Sequence, residues 1–235
     1  MSQFDLKQLT NQMESASAAS IIYWAAKQFG NRLAVTSSFQ TQSLPLLHLV
    51  SRIMPNTPVY FLDTRYHFKE TLEYRKQLMR VLGLNVEVLR PLADRGTFTD
   101  EEGPLHQTNP NMCCYLKKVE PLQRALAGKL AWISGVRRDQ TKARAGLAVF
   151  SEQENDRLKI CPMLGWTHEN VMKYIDAHQL PQHPLLNFGY QSVGCEPCTA
   201  PVSRDQDPRS GRWAGSQKTE CGLHFDESSK PERIL

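Results

Sequence analysis

No stretch of this chain approaches the roughly 20 consecutive apolar residues that a helix needs to cross a bilayer. The opening residues Met1-Ser2-Gln3-Phe4-Asp5 lack the basic and apolar regions of a secretory signal, so a cytoplasmic home is expected. There is no internal repeat and no low-complexity tract. Charge is scarce too: a formal net charge of +4 is too small to announce a nucleic-acid surface by itself. The seven histidines show no metal-ligand spacing among themselves, and His48, His67, His106, His168, His178 and His183 read as structural. What is present in excess is thiol. Six cysteines in a cytoplasmic chain point to metal ligands or reactive groups rather than disulfides.

At 235 residues the chain is long enough for one α/β domain with a full core. Apolar strands alternate with amphipathic helices. Strands are expected at 33–36, 59–62, 86–89, 130–133 and 158–161, and helices at 15–29, 44–53, 68–82, 113–127 and 168–178, with Thr167 as an N-cap. That alternation predicts a mainly parallel sheet flanked by helices, with ligands at the carboxyl ends of the strands. Asp94 to Pro110 reads as an irregular loop. Residues 1–200 are expected to form the α/β domain. After Leu180 the pattern dissolves into Pro, Gly and charge, and 201–235 reads as a loop-rich tail belonging to the site, not as a second domain.

The chemistry concentrates in three places. Cys113-Cys114 and Cys195-Glu196-Pro197-Cys198 supply four soft thiolates, enough to enclose a metal centre. Vicinal ligands suit an iron–sulfur cubane, whose separate irons each take one thiolate, better than a single tetrahedral Zn²⁺; unligated thiols are the remaining alternative. Cys161, in an apolar strand, reads as a small buried hydrophobe. Cys221 has Lys218 and His224 within three residues, cations that favour a nucleophilic thiolate, and Glu220 beside it, which opposes them; an inert cysteine in the tail is the alternative. Two groups of cations, Arg137, Arg138, Lys142 and Arg144, then Arg209 and Arg212, are either solvated surface or a clamp for phosphate or sulfate. The polar turn Ser37-Ser38-Phe39-Gln40-Thr41-Gln42-Ser43, between a strand and a helix, is placed to meet an anion but contains no glycine.

Together these segments resemble the assimilatory adenylyl-sulfate/phosphoadenylyl-sulfate reductase family, in its iron–sulfur-containing branch. The likeness runs in order through Phe61-Leu62-Asp63-Thr64, Cys113-Cys114-Tyr115-Leu116-Lys117-Lys118, Trp132-Ile133-Ser134-Gly135-Val136-Arg137-Arg138-Asp139-Gln140, Val193-Gly194-Cys195-Glu196-Pro197-Cys198-Thr199, Asp207-Pro208-Arg209-Ser210-Gly211-Arg212-Trp213 and Glu220-Cys221-Gly222-Leu223-His224. It covers roughly residues 20 to 225.

The resemblance implies a Rossmann-like, adenine nucleotide alpha hydrolase-like fold and a [4Fe–4S] cluster on Cys113, Cys114, Cys195 and Cys198. It implies thioredoxin-dependent reduction of adenylyl sulfate to sulfite and AMP, through an S-sulfocysteine on Cys221. The substrate phosphate would meet Ser37, Ser38 and Ser43, the adenosine Leu62, Thr64 and Gly135, and Arg144 the nucleotide. Lys118, Arg209, Arg212 and His224 would surround the phosphosulfate. Thioredoxin or a glutaredoxin-like thiol would be the protein partner, with no nucleic acid and no membrane, and the resemblance leaves room for a homo-oligomer. Two departures stand out. The phosphate loop differs from the commoner S-F-G-A-E-D form, and Arg65 occupies a position where glycine is usual. An added cation there could suit a 3′-phosphate and hence phosphoadenylyl sulfate, although the four cysteines belong to the branch that prefers adenylyl sulfate. An ATP-pyrophosphatase-type ligase or sulfurtransferase would call for an S-G-G-x-D-S loop, which this chain lacks, and a metal-binding nucleic-acid module would call for more positive charge.

Overall fold

The computed structural model describes residues 5–92, 99–100, 103–216 and 218–223. Its centre is a six-stranded sheet built from β1 (Leu33–Thr36), β2 (Val59–Leu62), β3 (Val86–Leu89), β6 (Ala131–Ser134), β7 (Phe150–Gln153) and β8 (Arg157–Ile160). The order across the sheet is β3-β2-β1-β6-β8-β7. β1 pairs in parallel with both β2 and β6, β6 pairs in parallel with β8, and β7 runs antiparallel along the edge. Leu33, Ala34, Val35, Val59, Phe61, Ala131 and Ile133 are fully buried. Such unbroken apolar runs are what a strand covered on both faces requires. A two-residue hairpin, β4 (Thr99–Asp100) with β5 (Gly103–Pro104), lies apart from this sheet.

The helices are α1 (Leu6–Met13), α2 (Ala18–Phe29), α3 (Leu44–Ile53), α4 (Lys69–Leu82), α5 (Leu105–Thr108), α6 (Pro110–Cys114), α7 (Glu120–Ala125) and α8 (His168–Ala177). Their ends follow local chemistry. The Ser17 hydroxyl accepts the Ser20 N–H at 3.1 Å to start α2. Thr167 caps α8 as its sequence predicts, and Asn170 reciprocates through its side chain. The strands fall within a residue of their expected places. The edge strand β7, the first helix α1 and the small hairpin were not expected. β7 is short and only half buried, so neither period nor hydrophobicity announces it.

Chain contacts divide the molecule into two compact units. The first comprises residues 1–61, 70–87 and 126–184, and the second 62–69, 88–125 and 185–235. In the first, Phe39 is fully buried and meets Phe61 edge-on at 5.5 Å, plugging the Ser37–Ser43 turn into the core. His183 is equally enclosed, with Nε2 3.0 Å from the Thr71 hydroxyl and its N–H donating to Thr41 Oγ1. In the second, Phe68, Leu185 and Val193 form a small apolar cluster with Tyr190 against it.

His183 carries a prediction. Burial pulls its pKa from the ordinary 6.5 down to about 4. The folded chain keeps the ring neutral while the unfolded chain protonates it, so stability held above pH 6.5 is lost as pH falls toward 4. His183→Gln should flatten the urea-midpoint profile over that window by up to about 1.4 kcal/mol per pH unit. An unchanged slope would mean the ring titrates normally.

Candidate active site

All four paired cysteines line one pocket in the second unit, together with Tyr66, His106, Pro110, Lys117, Lys118 and Trp213. Local backbone chemistry puts them there. Asn109 caps α6 by accepting the Met112 N–H at 3.0 Å. Cys113 and Cys114 therefore close a short helical turn instead of opening a long helix, as the sequence suggested. The next residues, Tyr115–Val119, form a π-turn before α7 begins. One wide turn separates Cys113 from Lys117 and Cys114 from Lys118, so two thiols and two ammonium groups face the same space.

The second cysteine pair is held from two sides. Cys195 bridges His67 in an antiparallel pairing, and the Glu196 N–H donates to the Tyr66 carbonyl. On the other side, residues 198–200 zip against 211–213: the Trp213 N–H donates to the Cys198 carbonyl at 3.0 Å and the Ala200 N–H to the Gly211 carbonyl at 2.8 Å. The approach is so close that a Cβ on Gly211 would sit 2.1 Å from the Ala200 carbonyl oxygen. Thr64, expected at the nucleotide, is fully buried; its hydroxyl lies 3.3 Å from Cys195 Sγ and its carbonyl accepts from Lys117 Nζ. Arg65, beside it, is exposed with φ 61. A left-handed backbone strains any side chain, which accounts for glycine being the usual choice there.

The electrostatics favour a charge-balanced centre. Burial first, then Cys114 and Cys195, push Cys113 up to about 12. Burial and Cys195 push Cys198 up to about 11, and burial raises Cys114. Lys118 is held above the ordinary lysine value despite its burial, because Cys195, Cys114 and Cys221 draw on its charge. Burial lowers Lys117, whose ammonium also rests 4.2 Å from the centre of the Tyr66 ring. Among the described residues, no three His, Cys, Asp or Glu side chains close round a single ion.

Two arginines organise the tail. Arg212 lays its guanidinium 4.6 Å from the Trp213 ring centre, donates to the Val193 carbonyl, and leaves a buried Nε without a partner among the described residues. It passes Gly194 so closely that a Cβ there would lie 2.2 Å from Nη2. Arg209 donates to the Thr219 carbonyl at 2.9 Å and pairs with Glu220, which is almost completely buried. The carboxylate that the sequence sets against Cys221 is thereby neutralised. Cys221 itself is half-buried, within electrostatic reach of Cys114 and Lys118, and Gly222 beside it takes a positive φ and packs toward Val119. His224 lies outside the described residues.

In the first unit, Ser37 Oγ accepts the Phe39 N–H, and the Ser38 and Ser43 hydroxyls approach to 3.3 Å at the head of α3. Gly135 follows β6, where a Cβ would press on Leu46 at 3.3 Å. The first group of cations is largely structural. Arg137 pairs with Asp139 and donates to Gln42, Arg138 pairs with Glu14 and donates to the Leu147 carbonyl, and the buried Arg144 donates to Gln140.

These features meet a family pattern. A model described as the phosphoadenosine phosphosulfate reductase domain matches residues 32–201. The chain belongs to the phosphoadenosine phosphosulfate reductase family. An adenosine 5′-phosphosulfate reductase from Streptomyces coelicolor is 44% identical over 215 residues, covering 91% of this chain and 90% of that one. One from Bacillus cereus is 40% identical over 219 residues, covering 90% and 92%. Among solved structures, a phosphoadenylyl-sulfate reductase from Candida auris in complex with phosphate aligns with a TM-score of 0.71 at 26% identity, over 83% of this chain and 96% of that one. The FMN adenylyltransferase of Candida glabrata, at 14% identity and TM-score 0.56, over 87% of this chain and 77% of that one, shares the fold alone. The α/β, adenine nucleotide alpha hydrolase-like architecture expected from sequence is the one found. Within this reductase family, Lys117, Tyr66, His106 and Trp213 join the site as residues sequence reasoning passed over. Lys117, four residues after Cys113, was the detectable one.

Two outcomes follow. In the metal-free chain the raised thiols hold stability below the ordinary thiol value of 9.0 and lose it as pH climbs toward 11–12, because the unfolded chain deprotonates first. Its urea midpoint should fall between pH 9 and 11, and less so in Cys113→Ala; equal slopes would contradict the raised thiols. Gly194→Ala and Arg212→Ala should be strongly non-additive, with a coupling of about 1 kcal/mol or more in unfolding free energy. Losses that simply add would mean Arg212 does not rest on Gly194.

Proposed function

We propose that this reductase converts adenylyl sulfate to sulfite and AMP, with Cys221 as nucleophile and a [4Fe–4S] cluster on Cys113, Cys114, Cys195 and Cys198. The observation that carries the reading is the convergence of four thiols and two lysines on one pocket, with Cys221 in electrostatic reach of Lys118. Four thiolates from two segments, two of them vicinal, suit a multi-iron group, whose separate irons each take one thiolate, better than a single tetrahedral ion. Lys117 and Lys118 supply the positive charge that an anionic thiolate-bound group calls for. A cluster bound there would tie both cysteine segments into one rigid body and set the field felt by the two lysines.

The chain's own residues do the rest. Ser37, Ser38 and Ser43 bind the phosphate, Leu62 and Gly135 border the adenosine, and Arg144 contacts the nucleotide; Thr64, fully buried, serves the Cys195 side instead. Lys118, Arg209, Arg212 and His224 take the phosphosulfate; the partnerless Nε of Arg212 and the high pKa of Lys118 suit them to an anion. The Cys221 thiolate attacks the sulfate sulfur, a Cys221–sulfur bond forms, and the sulfur–oxygen bond to phosphate breaks with its electron pair leaving on AMP. A thiol of thioredoxin or a glutaredoxin-like protein then attacks the Cys221 sulfur and expels sulfite, the partner supplying both electrons. The tail from 201 lets Cys221 move between the two reactions. It is proposed as part of this site and not as a separate domain. Relatives named for adenosine 5′-phosphosulfate support the unphosphorylated nucleotide. Exposed Arg65 is the reason to offer phosphoadenylyl sulfate in parallel.

Incubation with adenylyl sulfate and no reductant should leave one sulfonate on the peptide that contains Cys221, read by mass spectrometry. Cys221→Ser should form no adduct and release no sulfite while still binding nucleotide. Substantial turnover by Cys221→Ser, or sulfonation of a different cysteine, would remove Cys221 from this role.

A further inference from the structure

The four cysteines are not equally enclosed. Cys113, Cys114 and Cys195 are buried, at 6–7% exposure, whereas Cys198 is only half-buried. The reason is a second cavity in the same unit, an open groove of about 510 Å³ into which Cys198 alone of the four projects. One wall comes from the α5–α6 corner at Gln107 and Pro110, the other from the turn that ends at Ser216. Four residues, His106, Pro110, Cys198 and Trp213, line both this groove and the cysteine pocket, so they are the partition between solvent and the thiols. The partition is thin and incompletely satisfied. His106 leans edge-on to Tyr66 at 5.3 Å, and its buried Nδ1 has no hydrogen-bond partner among the described residues.

We propose that this groove is the port through which small iron-binding molecules, thiols and carboxylate chelators, reach the metal centre, and that Cys198 is the ligand they displace first. The inference rests on the cluster reading above. Exchange at this corner breaks the bond between iron and the Cys198 sulfur and forms one from iron to the incoming sulfur or oxygen. Cys198 departs as a thiolate and takes a proton from water, and no electron changes hands. The same route run backwards admits iron during loading. Cys113, Cys114 and Cys195 do not line this groove, so it opens on the centre at the Cys198 corner.

Filling the groove from either wall tests this. Gln107 and Ser216 are both exposed, so Gln107→Trp and Ser216→Trp add bulk where the chain has room, and Asp205→Trp adds the same bulk elsewhere in the unit. Anaerobically purified, iron-loaded protein is mixed with excess EDTA, and loss of visible absorbance and of bound iron is followed. The groove variants should lose iron about tenfold more slowly than wild type, and Asp205→Trp at the wild-type rate. If one groove variant fails to fold, the other decides. Wild-type rates in folded groove variants, or equal slowing by Asp205→Trp, would overturn the port. A folded wild-type chain that never holds iron would instead overturn the cluster reading beneath it.

Discussion

The site depends on packing four thiols beside two lysine ammonium groups in one enclosed pocket, where burial and neighbouring thiols keep Cys113, Cys114 and Cys198 protonated. Four thiols crowd together, raise one another's pKa, and are made tolerable by Lys117 and Lys118 arriving one π-turn after Cys113 and Cys114. Any group that takes those thiols as thiolates finds the compensating cations already in place. The cost of burying that much charge is why the surrounding backbone is so tightly tied, by the Cys195–His67 bridge on one side and the 198–213 zipper on the other.

The zipper also joins the loop that carries Cys195 and Cys198 to the C-terminal tail. Gly211 allows the backbones to touch, and that contact sets Arg212 on Trp213 and over Gly194. Further along, Arg209 neutralises Glu220 and fixes the residues just ahead of Cys221. The two arginines, equivalent in the sequence, therefore act differently. Arg212 packs against the cysteine loop, while Arg209 anchors the residues just ahead of Cys221.

Much of this was legible beforehand, and the limits are physical. Apolar runs such as Leu33-Ala34-Val35 and Val59-Tyr60-Phe61 mark buried parallel strands because both faces are covered, whereas β7, half exposed at an edge, carries no such mark. Cysteine spacing pointed to thiols that gather in one place, and the structure brings Cys113, Cys114, Cys195 and Cys198 to one pocket. It could not announce the π-turn, which depends on tertiary packing, nor the role of Thr64 beside Cys195. The partners of the first cation group were hidden for a related reason. Arg137 and Arg138 look like a clamp in one dimension, but Asp139, Gln42 and Glu14 claim them in three. Arg65 ran the other way: a residue that departs from the family pattern proved to hold the positive φ that glycine ordinarily supplies.

The most direct test of the central claim is metal analysis of the anaerobically purified chain, together with its visible spectrum. Roughly four iron atoms and matching acid-labile sulfide per chain, in brown protein, is the result predicted for four thiolates that each hold one iron. A well-folded, colourless chain carrying one zinc, or no metal, would contradict it.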